Sequence, residues 1–252
     1  MFNLQHILYL AISFALTIGL LVLFEIKVKD QKSKNLIVSI SAVITVIIHY
    51  SNIWVEFFTT GGQNTVEANH ILPVYPCNVV MWMLLIVSLI KNKNRVIFKL
   101  LADFCFYGGI VCGVIGLVFN ANFDANPTLL NYNVLKGMLS HSTMLFGCLY
   151  LMVGGYVKIG MFNVLSVIFG LGTFVCCGLL VNWLYTKFGM TPIDGMFLLS
   201  NPYFPVSPMI LGIGAIILMF IILALYENRL PKEERWYSRL KKYIEEEIKE
   251  RV

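Results

Sequence analysis

The length of its apolar runs limits what this chain can fold into. The first, "LYLAISFALTIGLLVLF", approaches the ~20 residues that a helix needs to cross a bilayer, and it is one of seven. The runs cover roughly 4–26, 36–58, 72–90, 97–119, 137–157, 162–185 and 206–226. They predict an all-α fold, a polytopic membrane protein built as a seven-transmembrane-helix bundle over residues 1–228. Composition agrees: charged residues make up 13% of the chain, about half of what a soluble domain carries. The first run has no basic residue before it and no small-residue cleavage site after it, so it reads as a retained helix rather than a signal peptide.

Charge orients the bundle. The segments after runs one, three and five, together with the tail, hold all but two of the 19 basic residues. Only Lys136 and Lys187 fall on the other side. Basic residues collect on the cytoplasmic face, which puts the N-terminus outside, the C-terminus inside, and the protein in the cell (plasma) membrane. The net charge of +5 is then a topology signal and gives no reason to expect nucleic acid. Residues 229–252 form a cytoplasmic tail with Trp236, Leu240, Ile244, Ile248 and Val252 at spacing four. That pattern predicts an amphipathic helix at the inner membrane surface.

Six cysteines lie in apolar segments, and none forms a CxxC pair. Neither a disulfide framework nor a metal site is expected, and no cofactor is called for. One cysteine stands apart. In "ILPVYPCNVV", a proline at the first position of helix three loses an N–H that had no partner anyway. With Pro76 there, Cys77 is second, beside free backbone N–H groups and the positive end of the helix dipole, a setting that activates a thiol. The alternative for any such cysteine is a small buried hydrophobe.

A nucleophilic thiol needs a base. His141, in "MLSHSTML", sits about one turn into helix five, which runs in the same direction as helix three, so the two share a depth. His49, Asn52 and Glu56 follow at i, i+3 and i+7, on one face of helix two. Ionisable groups inside a membrane are costly and mark function, although interhelical hydrogen bonding accounts for some of them. Asn78, Asn182 and Asp194 complete the candidate substrate-binding set. The loop "TKFGMTPIDGMFLLSNPYFP", which carries Asp194, is expected to dip back toward the bundle, where irregular backbone is tolerated only against protein or a water-filled cavity.

"LPVYPCNV", "GVIGLVFNANFD", "SHSTML" and "LVNWLYTKFGMTPIDGMFL" occur in this order, and over residues 36–215 the chain resembles the bacterial YwaF-type integral membrane family. Tyr75 and "DGMFL" depart from that family's usual LPLHLC-like and NYMYL-like motifs. The family is similar to a eukaryotic multispan acyltransferase that remodels ether phospholipids. The resemblance implies Cys77 as nucleophile, His141 as general acid/base, and a membrane phospholipid at the outer leaflet as substrate. The alternative is a small-molecule transporter or receptor whose polar pocket is lined by His49, Asn52, Glu56 and Asn182.

The charge split carries the first prediction. A reporter fused after Val252 is expected on the cytoplasmic side; its appearance outside the cell would overturn both the topology and the outward-facing end of helix three.

Overall fold

The computed structural model describes residues 2–59, 61, 72–190, 194–198 and 208–251. Among them there is helix and no strand. In chain order the helices are α1 (Leu4–Lys27), α2 (Gln31–Thr59), α3 (Pro76–Leu89), α4 (Val96–Val118), α5 (Ala121–Ala125), α6 (Tyr132–Val153), α7 (Phe162–Lys187), α8 (Pro208–Glu227) and α9 (Trp236–Arg251). Short 3-10 turns occupy Gly195–Phe197 and Lys232–Glu234. Each expected run contains a helix. Five of them are long and apolar enough to cross a membrane: α1, α2, α4, α7 and the stretch Ile210–Glu227 of α8. α3 is apolar but has only 14 residues. α6 has 22 residues, but Lys136, Ser140, His141, Ser142 and Thr143 dilute its apolar character.

Caps set several boundaries. Asn131 accepts from the backbone N–H groups of Asn133 and Val134, so α6 starts at Tyr132, five residues before the apolar run. An Asn side chain satisfies helix-end donors that would otherwise lack partners, and Asn120 does the same for α5 by accepting from Phe123 N–H. The Asn-rich loop is thus a pair of helix starts. α7 ends where Gly189 turns to φ +62°. Gly189 N–H donates to Thr186 O and Met190 N–H to Tyr185 O, the paired closure that a left-handed glycine permits.

The chain divides into two compact units. In the first (1–72, 77–89, 105–155), α6 is the central helix, and both α2 and α1 pack on it. The carboxyl half of α4 packs there too, through glycines: a side chain on Gly109 would meet Cys148, and one on Gly113 would meet Leu145. Small residues of this kind let membrane helices approach closely. Leu117, Phe123, Val134, Met138 and Leu145 form a buried apolar cluster beside it.

In the second unit (73–76, 90–104, 156–252), α7 packs against the Gly195–Phe197 turn, α8 and α9. The tail helix is tied down through Glu227, which is 4% exposed. Its carboxylate accepts from Met161 N–H at 3.0 Å and Trp236 N–H at 2.9 Å, and pairs with Arg239 at 3.1 Å. Asp103 is buried and accepts from Ser166 Oγ at 3.2 Å, which fits a packing role.

Gly170 tests how closely α7 is packed. A Cβ there would stand 1.8 Å from Cδ2 of the Phe104 ring. Gly→Ala inside a helix ordinarily stabilises by about 0.5–1 kcal/mol. Here Gly170→Ala is expected to destabilise by about 1–3 kcal/mol, the cost of overpacking, and adding Phe104→Leu should restore most of the loss. Thermal unfolding in detergent measures both; a single variant as stable as the parent would contradict this packing.

Candidate functional site

Four consecutive residues of α6, Ser140 to Thr143, point in four directions, because a helix turns by about 100° per residue. Ser140 is buried and donates to Gly137 O at 3.0 Å. His141 faces α4. Ser142 faces α1, where its Oγ lies 3.0 Å from Tyr9 OH and 2.7 Å from Ser13 Oγ. Thr143 faces α2 and accepts from Thr45 Oγ1 at 2.9 Å.

His141 is held by its own helix. Its Nδ1 is 2.8 Å from Gly137 O. A carbonyl only accepts, so Nδ1 carries the proton and Nε2 presents its lone pair. The ring occupies the space that a side chain on Gly116 would fill, with Nε2 2.2 Å from the position of a Cβ there. Glycine at 116 is therefore a requirement of where His141 sits.

Cys77 follows Pro76, the first residue of α3, as the mouth of "ILPVYPCNVV" predicts. Its Sγ donates to Asn78 Oδ1 at 3.3 Å, and Asn78 Nδ2 reaches back to Leu72 O at 3.4 Å. Asn78 is buried, so it orients the thiol and closes the turn that leads into α3. Cys77 lies within electrostatic reach of Cys112. Cys112 and Gly116 are one turn apart on α4, so Cys77 and His141 both lie near this stretch of α4. No direct hydrogen bond joins them among the described residues.

Lys136 enters the sequence reading only as a basic residue on the outer side. In the structure it is half-buried, and its charge reaches Cys77, Glu56 and His141. The signal was present in the sequence: a lysine five residues before His141, in a helix that carries no other charge.

α2 runs antiparallel to α6. The Thr45–Thr143 bond is followed up the bundle by one from Tyr132 OH to Ser51 Oγ. That register sets Asn52 beside the first two turns of α6, which include Lys136. Asn52 is 1% exposed, and neither atom of its amide has a hydrogen-bond partner among the described residues. Glu56 lies one turn further along the same face. His49 stands edge-on to Tyr50, whose hydroxyl accepts from Trp82 Nε1 of α3 at 3.0 Å.

The first unit therefore contains Cys77, His141, Asn78, Asn52, Glu56 and His49. Asn182 and Asp194 belong to the second unit. Asn182 Oδ1 accepts from Gly195 N–H at 2.7 Å and so pins the Gly195–Phe197 turn. Gly195 lies against Gly178 of α7, and Met196 N–H donates to Val74 O at 2.7 Å. The described part of the loop thus lies against a span, as its apolar residues predict. Of the remaining histidines, His6 is a packing residue: it is buried, with Nε2 2.9 Å from Leu117 O and its ring stacked on Phe123. His70 lies outside the described residues.

With this geometry in hand, comparison with known proteins identifies the family. The chain belongs to the TMEM164 family, a multispan membrane family whose model matches residues 1–226. Comparison with curated proteins and with solved structures gives no match.

The unpartnered amide of Asn52 yields a sharp expectation. Replacing a hydrogen-bonded buried amide costs about 1–3 kcal/mol where it strands its partner, whereas removing one without a partner relieves a desolvation cost. Asn52→Leu should therefore leave the unfolding temperature unchanged or raise it, while lowering activity. A clear loss of stability in that variant would show that the amide is part of the packing.

Proposed function

We propose that this member of the TMEM164 family is a membrane phospholipid acyltransferase that works through a Cys77 thioester, with His141 as general acid/base. The observation that carries this is the polar cluster of the first unit. A thiol at a helix N-terminus and a histidine that presents its Nε2 lone pair lie near the same stretch of α4, beside a half-buried lysine and a buried amide without a hydrogen-bond partner among the described residues. Ionisable groups inside apolar helices are costly and mark function.

The steps follow from the groups present. His141 Nε2 takes the Cys77 thiol proton, directly or through one water, and Sγ attacks the carbonyl carbon of a phospholipid ester. The C=O π pair moves onto oxygen, and the resulting oxyanion sits near the first-turn N–H groups of α3, which lack partners within the helix. When the tetrahedral centre collapses, the C–O ester bond breaks and His141 returns its proton to the leaving lysophospholipid oxygen. The acyl chain is then held as a thioester. In the second half, His141 takes the proton of an acceptor hydroxyl, whose oxygen attacks the thioester carbonyl. Sγ leaves and recovers the proton, so the cycle needs no cofactor. Asn78 orients the thiol. In this reading Lys136 and the Asn52 amide hold the polar parts of the lipid, and Glu56 balances the charge of Lys136. In the topology that the basic residues indicate, this takes place at the outer leaflet of the plasma membrane.

Protein purified with phospholipid is expected to carry a hydroxylamine-labile acyl group on Cys77, absent from Cys77→Ser and strongly reduced in His141→Ala. Lipidomics of cells carrying the parent or Cys77→Ala protein should show a shift in phospholipid acyl composition only with the parent. If no labile acyl group forms and Cys77→Ala leaves the lipids unchanged, the chemistry is excluded. The polar cluster would then be read as the pocket of a transporter or receptor.

A further inference from the structure

α1 and α2 are consecutive antiparallel helices joined by three residues, yet they make few contacts with each other; both pack on α6 instead. The cause is on α6. α1 is bound through Ser142 and α2 through Thr143, neighbours whose side chains point about 100° apart. The two helices are therefore fixed to adjacent faces of α6, and an elongated groove of about 520 Å³ remains between them. Leu16 and Leu20 form one wall, Ile40 and Ile44 the other, and Leu139 and Phe146 the floor.

We propose that this groove binds one acyl chain of a membrane phospholipid. The volume lies in the range of small-molecule sites, about 300–1,000 Å³. Along α1 the lining runs from Tyr9 to Phe24, about 22 Å at the helical rise. One leaflet of the hydrocarbon core is about 15 Å deep, half of ~30 Å. An extended chain therefore fits lengthwise.

Of the hydroxyls that line the groove, those of Tyr9, Ser13, Ser41, Ser142 and Thr143 are engaged by protein partners, which disfavours a polar occupant. Ser142 donates to Met138 O at 2.9 Å, so it accepts from both Tyr9 and Ser13. Ser41 donates to Val38 O at 2.9 Å and Thr143 to Leu139 O at 3.0 Å. These groups already have partners inside the protein, and water needs two to four polar partners to stay in such a space. Both walls belong to helices long and apolar enough to cross the membrane, so the medium against the groove is hydrocarbon. Leu16, Ile40 and Ile44 are exposed to it. The site does not depend on the thioester chemistry, because Ser142 and Thr143 face away from His141.

The test uses the full chain reconstituted in phosphatidylcholine nanodiscs containing a small fraction of phosphatidylcholine with a mid-chain diazirine. After irradiation, adducts are mapped by mass spectrometry. They should form several-fold more often on the groove residues than on Ile213 and Ile217 of α8, which are equally exposed apolar residues of another span. Leu20→Trp and Ile40→Trp, at exposed wall positions on the hydrocarbon side that tolerate size, should reduce groove adducts several-fold and leave those on α8 unchanged. Groove labelling no stronger than on α8, labelling insensitive to both tryptophans, or cross-links from the groove to a second copy of the chain would each overturn the proposal.

Discussion

The quartet Ser140–Thr143 is the point on which the first unit depends. In hydrocarbon there is no general hydrophobic force to bring helices together, and association relies on close packing and hydrogen bonds between them. α6 supplies both in one turn. Its hydroxyls bind α1 and α2 on two faces, and on a third its histidine fits against a glycine of α4. The bundle, the position of His141 and the groove between α1 and α2 follow from one short polar stretch. The same polarity leaves α6 outside the group of helices whose apolar character alone suits them to a membrane. A helix at the centre of such a bundle is covered by protein, so it need not resemble those that face lipid.

Much of the fold was legible because length and hydropathy are local properties. The seven runs needed no tertiary information, and Pro76 marks its own helix start through the missing N–H. Boundaries that depend on caps were less visible. Asn131 lies in a polar loop, and only its accepted bonds show that α6 begins there rather than at residue 137. The tail reads as a helix from the spacing of its apolar residues. Its attachment through Glu227 does not, because that carboxylate's partners are Met161, Trp236 and Arg239, none of them in α8.

The candidate site was legible by residue type and only partly by arrangement. Cys77, Asn78, His141 and Asn52 stand out as polar groups where polar groups are expensive. Nothing in the sequence reveals that Cys77 and His141 both lie near the Cys112–Gly116 stretch of α4, since that depends on the register of α4 against α6. Lys136 reads in the sequence only as a charge on the outer side. Its position within reach of Glu56, Cys77 and His141 depends on the antiparallel register of α2 and α6. Asn182 illustrates the converse: its residue type suggests a ligand contact, and in the structure its carbonyl oxygen is engaged by a backbone N–H.

That bond has a consequence for the segment ahead of Pro76. Asn182 holds Gly195, and the next two residues, Met196 and Phe197, have φ of 59° and 54°. Residues other than glycine seldom occupy this left-handed region, and they persist there only where the surroundings over-determine the backbone. Here the surroundings are the Gly195–Gly178 contact, the bond from Met196 N–H to Val74 O, and the Phe197 ring against Tyr75 at 5.5 Å. All of these converge on the segment immediately before Pro76. Proline at the head of α3 fixes one backbone angle, and the strained turn anchors the two residues ahead of it. The segment that leads into α3 is thus held by residues more than a hundred positions later in the chain.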